Sequence, residues 1–306
     1  MKCFWSSRDG KPPPEKSTFH LKSFDLKVCH SGDAEWITLP KPKSYKVLSR
    51  SFSHTYEAWE RGVEKALHCI HKKEIEKVVL GRFCFLELGE EPDPFAIAAA
   101  LKRDVQGAFI FCVQVEGMSF LGATPERLFY RHEGQLLTEA VAGTVPCGMA
   151  FTNPKFMREF LPVQRHLEKT LFSFCTSLAF SPISVHRTAN VAHLYSKAEA
   201  TLKEGANLSE MLAQLHPTPA LCGAPQGEAM ALLRELEPFE REFFCGVTGW
   251  ETAHESEMAV ALRSCKIEGK RVTLFSGAGI VEGSDPKEEW EELNQKLKLY
   301  DRILVD

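Results

Sequence analysis

Residues 108–142 read AFIFCVQVEGMSFLGATPERLFYRHEGQLLTEAVA. Four short runs, Ala108 to Val115, Ser119 to Gly122, Arg127 to His132 and Gln135 to Ala142, are rich in the β-branched and aromatic residues that suit strands, and Glu116-Gly117 and Glu133-Gly134 punctuate them. A dipeptide ending in glycine leaves space for a tight reversal only, so the runs are expected to pair as antiparallel hairpins.

On the N-terminal side, Tyr56 to Ile75 carries Trp59, Val63, Leu67, Ile70 and Ile75 at roughly helical spacing, Val78 to Glu87 is predicted as a strand, and Asp93 to Asp104 as a helix opened by an acidic, proline-containing turn. Before them, Pro12-Pro13-Pro14, Pro40 and Pro42 forbid an interior helix, so residues 1–51 are expected to be a short N-terminal addition with strands at most near Phe19 to Cys29 and Tyr45 to Ser49. On the C-terminal side, Lys155 to Ala179 is expected to be mainly helical and Ser184 to Leu194 extended, with short helices at Asn207 to Gln214 and Gln226 to Leu236 and a strand at Phe243 to Glu251. Glu257 to Ile267 and Lys270 to Ser276 should form a last hairpin through Glu268-Gly269, and a helix should run from Pro286 to about Ile303. Antiparallel strands with interspersed helices predict an α+β body, large antiparallel sheets flanked by helices, over residues 52–306.

Composition narrows the function classes. In 306 residues the hydrophobic fraction of 44% and charged fraction of 25% are those of a globular chain. The net charge of -4 gives no electrostatic reason to expect a nucleic-acid partner. No apolar run approaches the roughly 18 residues of a membrane span and the first residues do not read as a signal peptide, so no membrane and a cytoplasmic location are the expectation. No two of the ten cysteines fall within four residues of each other, which excludes a zinc knuckle or a CxxC redox pair.

The terminal helix carries the densest chemistry. Asp285-Pro286 makes an N-cap followed by proline at the first helical position, and Glu289, Glu292 and Lys296 then share one face. Such a face is either a solvated ion-paired surface or a pair of oxygen donors for a hard cation such as magnesium. The preceding Ser276 to Ser284 is glycine-rich without being a dinucleotide or Walker loop. Glu126 and Glu139 sit at the rims of predicted strands, and each either pairs with a surface cation or is held over a pocket. Lys77 opens the apolar Val78-Val79-Leu80, as a snorkelling lysine or as a base whose proton affinity burial lowers. Glu159 lies on a charged helix face, and Arg263 interrupts an apolar strand, where a guanidinium suits either an internal ion pair or a carboxylate ligand.

Six segments occur in the order seen in the chorismate-utilising enzymes: Lys77-Val78-Val79-Leu80-Gly81-Arg82, Gly122 to Leu128, Thr138 to Thr144, Leu215 to Ala220, Val260 to Ser264 and Gly277 to Pro286. Over residues 52–306 the chain resembles these enzymes, isochorismate synthases most. The resemblance implies a magnesium-dependent isomerase that takes chorismate to isochorismate by adding water at C2 and losing the C4 hydroxyl, with menaquinone synthesis as its destination. Its alternatives are a salicylate synthase, which carries the same intermediate on to salicylate and pyruvate, and a noncatalytic chorismate-binding homologue.

Residue by residue, the resemblance implies Lys77 as general base and Glu126 as general acid. Glu139, Glu159, Glu289 and Glu292 match the acidic cluster around magnesium and the ring carboxylate, with Glu159 and Glu289 as direct ligands and Glu292 next. Arg263 matches the arginine that holds a substrate carboxylate, while Thr144, His216, Gly246, Gly279 and Lys296 match further substrate contacts. Amine-forming relatives differ here. Aminodeoxychorismate synthases commonly place lysine where this chain has Ala142, and anthranilate synthases place glutamine where it has Lys77. The chain departs from the family at Lys155-Phe156-Met157-Arg158-Glu159-Phe160, where Lys-Asn-x-x-Glu-His is usual, and at Phe244, where related synthases place tyrosine. Relatives that act alone carry a longer N-terminal half, so a protein partner that compensates for the short N-terminal region is a further expectation.

Overall fold

The computed structural model describes residues 1–146, 154–187 and 191–304. It opens with β1 (Lys2–Ser6), β2 (Thr18–Lys22), β3 (Cys29–Asp33), β4 (Glu35–Trp36), β5 (Val47–Phe52), α1 (Tyr56–His71), β6 (Lys77–Leu88) and α2 (Pro94–Asp104). The hairpin block follows as β7 (Phe109–Val115), β8 (Met118–Thr124), β9 (Arg127–His132) and β10 (Gln135–Pro146). Next come α3 (Pro154–Phe174), β11 (Cys175–Phe180), β12 (Ser184–Arg187), β13 (Val191–Leu202), α4 (Leu208–Leu215), β14 (Gly223–Ala224) and α5 (Gln226–Leu236). The chain closes with β15 (Val247–Glu251), β16 (Glu255–Val260), β17 (Ser264–Glu268), β18 (Arg271–Val281) and α6 (Pro286–Leu304).

Among the described residues the strands form two nine-stranded sheets. The first has the order β14-β6-β18-β17-β8-β7-β1-β4, with β5 also on β6; the second has the order β11-β13-β10-β9-β16-β15-β2-β3, with β12 also on β13. The long ladders are antiparallel, and β1 with β4 is parallel. The two glycine dipeptides do reverse the chain. Val115 pairs with Met118 around Gly117, and His132 with Gln135 around Glu133 and Gly134, whose φ values of 45° and 82° are both positive, as the type I′ turn requires.

The expected strand from Glu257 to Ile267 is instead two strands in two sheets. β16 pairs with β9 in the second sheet, and β17 pairs with β8 in the first. Since β8 leads into β9, one two-stranded ribbon bends out of one sheet into the other, with residues 125–126 and 261–263 at the corner. Backbone bonds lock the strands there: Val260 N donates to Glu126 O at 3.1 Å, and Ala123 N to Arg263 O at 3.2 Å. Arg263 turns the corner at φ 45°, without a glycine or proline to announce it.

Residues 1–52 contribute more strands than their composition implies. β1, β4 and β5 join the first sheet, and β2 and β3 the second. Alternation along β7 places Phe109, Phe111 and Val113 in a core that unites both sheets with α1, α3, α4 and α5, while Ile110 and Cys112 face a second core beneath α2 and α6. The helix starts follow their caps: the Asp93 side chain accepts from Phe95 N at 2.9 Å, and Asp285 Oδ1 accepts from Lys287 N and Glu288 N at 3.0 Å. The helix expected to reach residue 179 ends at Phe174 and passes directly into β11. Among the described residues no helix is long and apolar enough to cross a membrane.

Candidate active site

Two concavities differ in chemistry. An open cleft of about 510 Å³ near the start of α2 is lined by Glu91, Asp93, Gln114 and Ser119 among apolar residues, with no Lys, Arg, His or Cys. A tighter cavity of about 120 Å³ lies where the ribbon corner, β6, β18, α3 and α6 meet, and Lys77, Glu126, Glu159, Arg263, Glu292 and Lys296 all line it. Only the second gathers acids and bases, so it is the candidate site.

Lys77 opens β6, held between Ala224 of β14 and Val281 of β18, and is 2% exposed. Its Nζ donates to the Glu159 backbone carbonyl at 3.1 Å. Burial pushes its pKa down, with the carboxylates of Glu159 and Glu126 opposing. Glu126, at the ribbon corner, is 6% exposed, and burial pushes it up to about 8, Lys77 opposing and Glu139 adding. On α3, Glu159 is raised to about 7, first by burial, with Lys77 opposing and Glu292 and Glu289 adding. A lysine shifted toward its neutral form thus shares a cavity with a glutamic acid shifted toward its protonated form.

Glycines on β18 make room for this arrangement. A Cβ on Gly279 would lie 3.1 Å from both Glu159 Oε2 and Lys77 Cε. β10 bulges between Ala142 and Thr144, and Gly143 adopts φ 71° against the Phe156 carbonyl. Ala142 and Gly143 both line the cavity.

On α6, Glu292 and Lys296 form an ion pair at 2.7 Å, and Lys296 Nζ also donates to Gly277 O at 2.6 Å. Burial alone would raise the Glu292 carboxyl, but the Lys296 ammonium brings it below the ordinary value. Glu289, one turn earlier, is buried; burial and Glu292 raise it, while Lys155 Nζ, 2.6 Å from Oε1, opposes. Burial lowers the Arg263 guanidinium, and Glu292 opposes that shift.

Glu139, His216 and Gly246, also singled out in the sequence, do not line the cavity. Glu139 is bound by Arg8 on one oxygen and by Arg127 Nη1 at 3.1 Å on the other, with Arg127 Nη2 reaching Glu257 at 2.8 Å. His216 is buried with Nε2 3.0 Å from the Phe24 carbonyl. Gly246 allows close approach to β2, since a Cβ there would meet the Lys22 carbonyl at 2.1 Å. The Thr144 backbone pairs with His193, and its side chain lies outside the described residues. Ser276, the first residue of the glycine-rich stretch, lines the cavity, and so do His193 and Cys245, although nothing in the sequence context of those two marks them. Burial holds His193 down at about 4, so it stands neutral.

Glu159, Glu289 and Glu292 offer only carboxylate oxygens, the donor type a hard divalent cation takes. Mutual repulsion contributes to raising both Glu159 and Glu289, which is the stress such an ion relieves, so the residues fit a magnesium ion in donor chemistry. Lysines occupy two of the three carboxylates, and among the described residues no group of three His, Cys, Asp or Glu is arranged to hold a metal ion.

A family model described as chorismate binding enzyme matches residues 35–305. The chain is 35% identical over 274 residues to isochorismate synthase 2, chloroplastic, of Arabidopsis thaliana, covering 84% of this chain and 49% of that protein. It is 32% identical over 272 residues to isochorismate synthase MenF of Bacillus subtilis, covering 84% and 58%. The chain therefore spans about half the length of these curated relatives. Among solved structures, the menaquinone-specific isochorismate synthase MenF from Escherichia coli superposes with a TM-score of 0.88 at 25% identity, covering 99% of this chain and 88% of that one.

Proposed function

The chain belongs to the chorismate binding enzyme family, and from that premise we propose that its cavity isomerises chorismate to isochorismate. The observation that carries this reading is the burial of Lys77 and Glu126 in one cavity with acidities displaced in opposite directions.

Neutral Lys77 takes a proton from a water whose oxygen attacks C2. The ring double bonds shift, the C4–O bond breaks, and Glu126 gives its proton to the departing hydroxyl, so one water enters and one leaves. Arg263, fixed by its place at the ribbon corner, binds a substrate carboxylate, and Lys296 adds positive charge to the same wall. Glu159, Glu289 and Glu292 would hold a magnesium ion, which would supply positive charge for the ring carboxylate. Water rather than ammonia as nucleophile accords with Ala142, a methyl in the wall where aminodeoxychorismate synthases commonly carry lysine.

Purified protein given chorismate, with and without magnesium, and resolved by chromatography is expected to yield isochorismate in the presence of the ion. Salicylate with pyruvate would instead identify a salicylate synthase. Unchanged chorismate, from folded protein that binds it, would identify a noncatalytic homologue.

Gly279→Ala tests the crowding around Lys77. The new methyl must displace the amine or the Glu159 carboxylate, and displacement on the ångström scale costs roughly 10- to 100-fold in turnover. Turnover equal to wild type, in a variant of unchanged melting temperature, would show that the pair tolerates movement.

A further inference from the structure

Lys155 stands in the first turn of α3, four residues before Glu159, and its ammonium bonds Glu289 Oε1 at 2.6 Å. The pair is withdrawn from solvent, with side chains 13% and 2% exposed. Three carboxylates act on that one ammonium: Glu289 by direct contact, and Glu159 and Glu292 through space. These are the same three carboxylates whose donor chemistry suits a divalent cation, and the amine bonds one of them directly. Lys296, the other lysine of the cluster, pairs with Glu292 and donates to the Gly277 carbonyl of β18.

We propose that Lys155 is an internal competitor of the divalent cation: its ammonium and the metal are alternative occupants of the Glu159–Glu289–Glu292 site, and Lys155 must release Glu289 before the ion binds. This rests on the cation-assisted reading given above. With the ion absent, the lysine spares three neighbouring carboxylates their mutual repulsion. When the ion enters, the amine is expelled, and because Lys155 and Glu159 share consecutive turns of α3, ion binding repositions the segment that also carries the carbonyl on which Lys77 rests. The lysine therefore sets the ion concentration at which the site fills.

The consequence is a penalty on apparent affinity. An ammonium that holds Glu289 about nine-tenths of the time weakens ion binding on the order of tenfold. Titration calorimetry of magnesium chloride into EDTA-treated full chain, compared among wild type, Lys155→Met, Lys155→Gln and Arg158→Gln, tests this. Arg158 lies on the same helix but is exposed and paired with Glu282, so its variant controls for general loss of positive charge. Lys155→Met is expected to bind magnesium about tenfold more tightly than wild type, with Lys155→Gln between them and Arg158→Gln close to wild type. In EDTA, Lys155→Met should melt below wild type, and magnesium should raise its melting temperature by more. Equal or weaker magnesium binding by both Lys155 variants would overturn the competitor role and leave the proposed reaction standing. No magnesium binding by any of the four proteins would overturn the competitor role and the cation's part in the reaction together.

Discussion

Lys77→Ala is expected to lower turnover by roughly 10² to 10⁴, the range for loss of a positioned base, while chorismate and magnesium binding stay within a few-fold of wild type. The side chain is nearly inaccessible, and its one hydrogen bond runs to a backbone carbonyl, so its removal leaves Arg263, Lys296 and the carboxylates of Glu159 and Glu292 in the wall. Alanine also leaves a void beneath Gly279. Lys77→Met, which refills it without an amine, should show the same kinetic loss with better stability. Turnover paired with calorimetry for both variants decides the matter. Rates near wild type would remove Lys77 from the mechanism, and loss of all binding in both would make it a structural residue.

Glu126→Gln should cost turnover on the same scale of roughly 10² to 10⁴, because the amide keeps the shape but has no proton to give the leaving hydroxyl. Its stability should move the other way. In the unfolded chain this carboxyl titrates near its ordinary 4.5, whereas in the folded protein it titrates at about 8. Folding therefore takes up a proton between those values, so the carboxyl's contribution is intact below pH 4.5, declines as pH rises, and is lost by about pH 8. At neutral pH glutamine should stabilise the protein by on the order of 2–3 kcal/mol, read as a higher midpoint in denaturant. The same displacement gives wild-type kcat/KM a basic limb near pH 8, as the acid loses its proton. A variant that is slower but no more stable would show that Glu126 is ionised in the folded protein at neutral pH.

The sequence revealed whatever is written in local chemistry. Glu116-Gly117 and Glu133-Gly134 announce hairpins because the turns need positive φ at Gly117 and Gly134, and Asp93-Pro94 and Asp285-Pro286 announce helices because cap and first turn are adjacent. The corner at 261–263 carries no such mark. Apolar residues continue across it because β16 and β17 are both largely buried, so periodicity alone reads one strand. β1 is five residues long and is stabilised by β7, more than a hundred positions away, a partnership no local window contains. In the site, Lys77 and Arg263 stand out as charges in apolar runs, Glu292 and Lys296 share a helix face by their spacing, and Glu126 sits at a strand rim, whereas Glu159 on its charged helix is marked by the family motifs alone, which also supply the expected roles of the others. His193 escaped notice because one histidine in an alternating strand looks like any half-buried polar residue. Glu139 looked available because its partner Arg8 arrives from the far end of the chain.

The bent ribbon makes the separation of base and acid an angular quantity. Backbone bonds oblige Glu126 and Arg263 to travel together, whereas Lys77 rides on β6, separated from the ribbon by β18 in the first sheet. Tilting one sheet on the other would open or close the gap between the amine and the carboxyl without altering either side chain. Phe120 on β8 and Leu128 on β9 are apolar members of the core between the sheets, do not line the cavity, and are placed to influence this tilt. A library of core variants selected only for stability should therefore drift in rate, with the oil between the sheets acting as the vernier of the proton transfer.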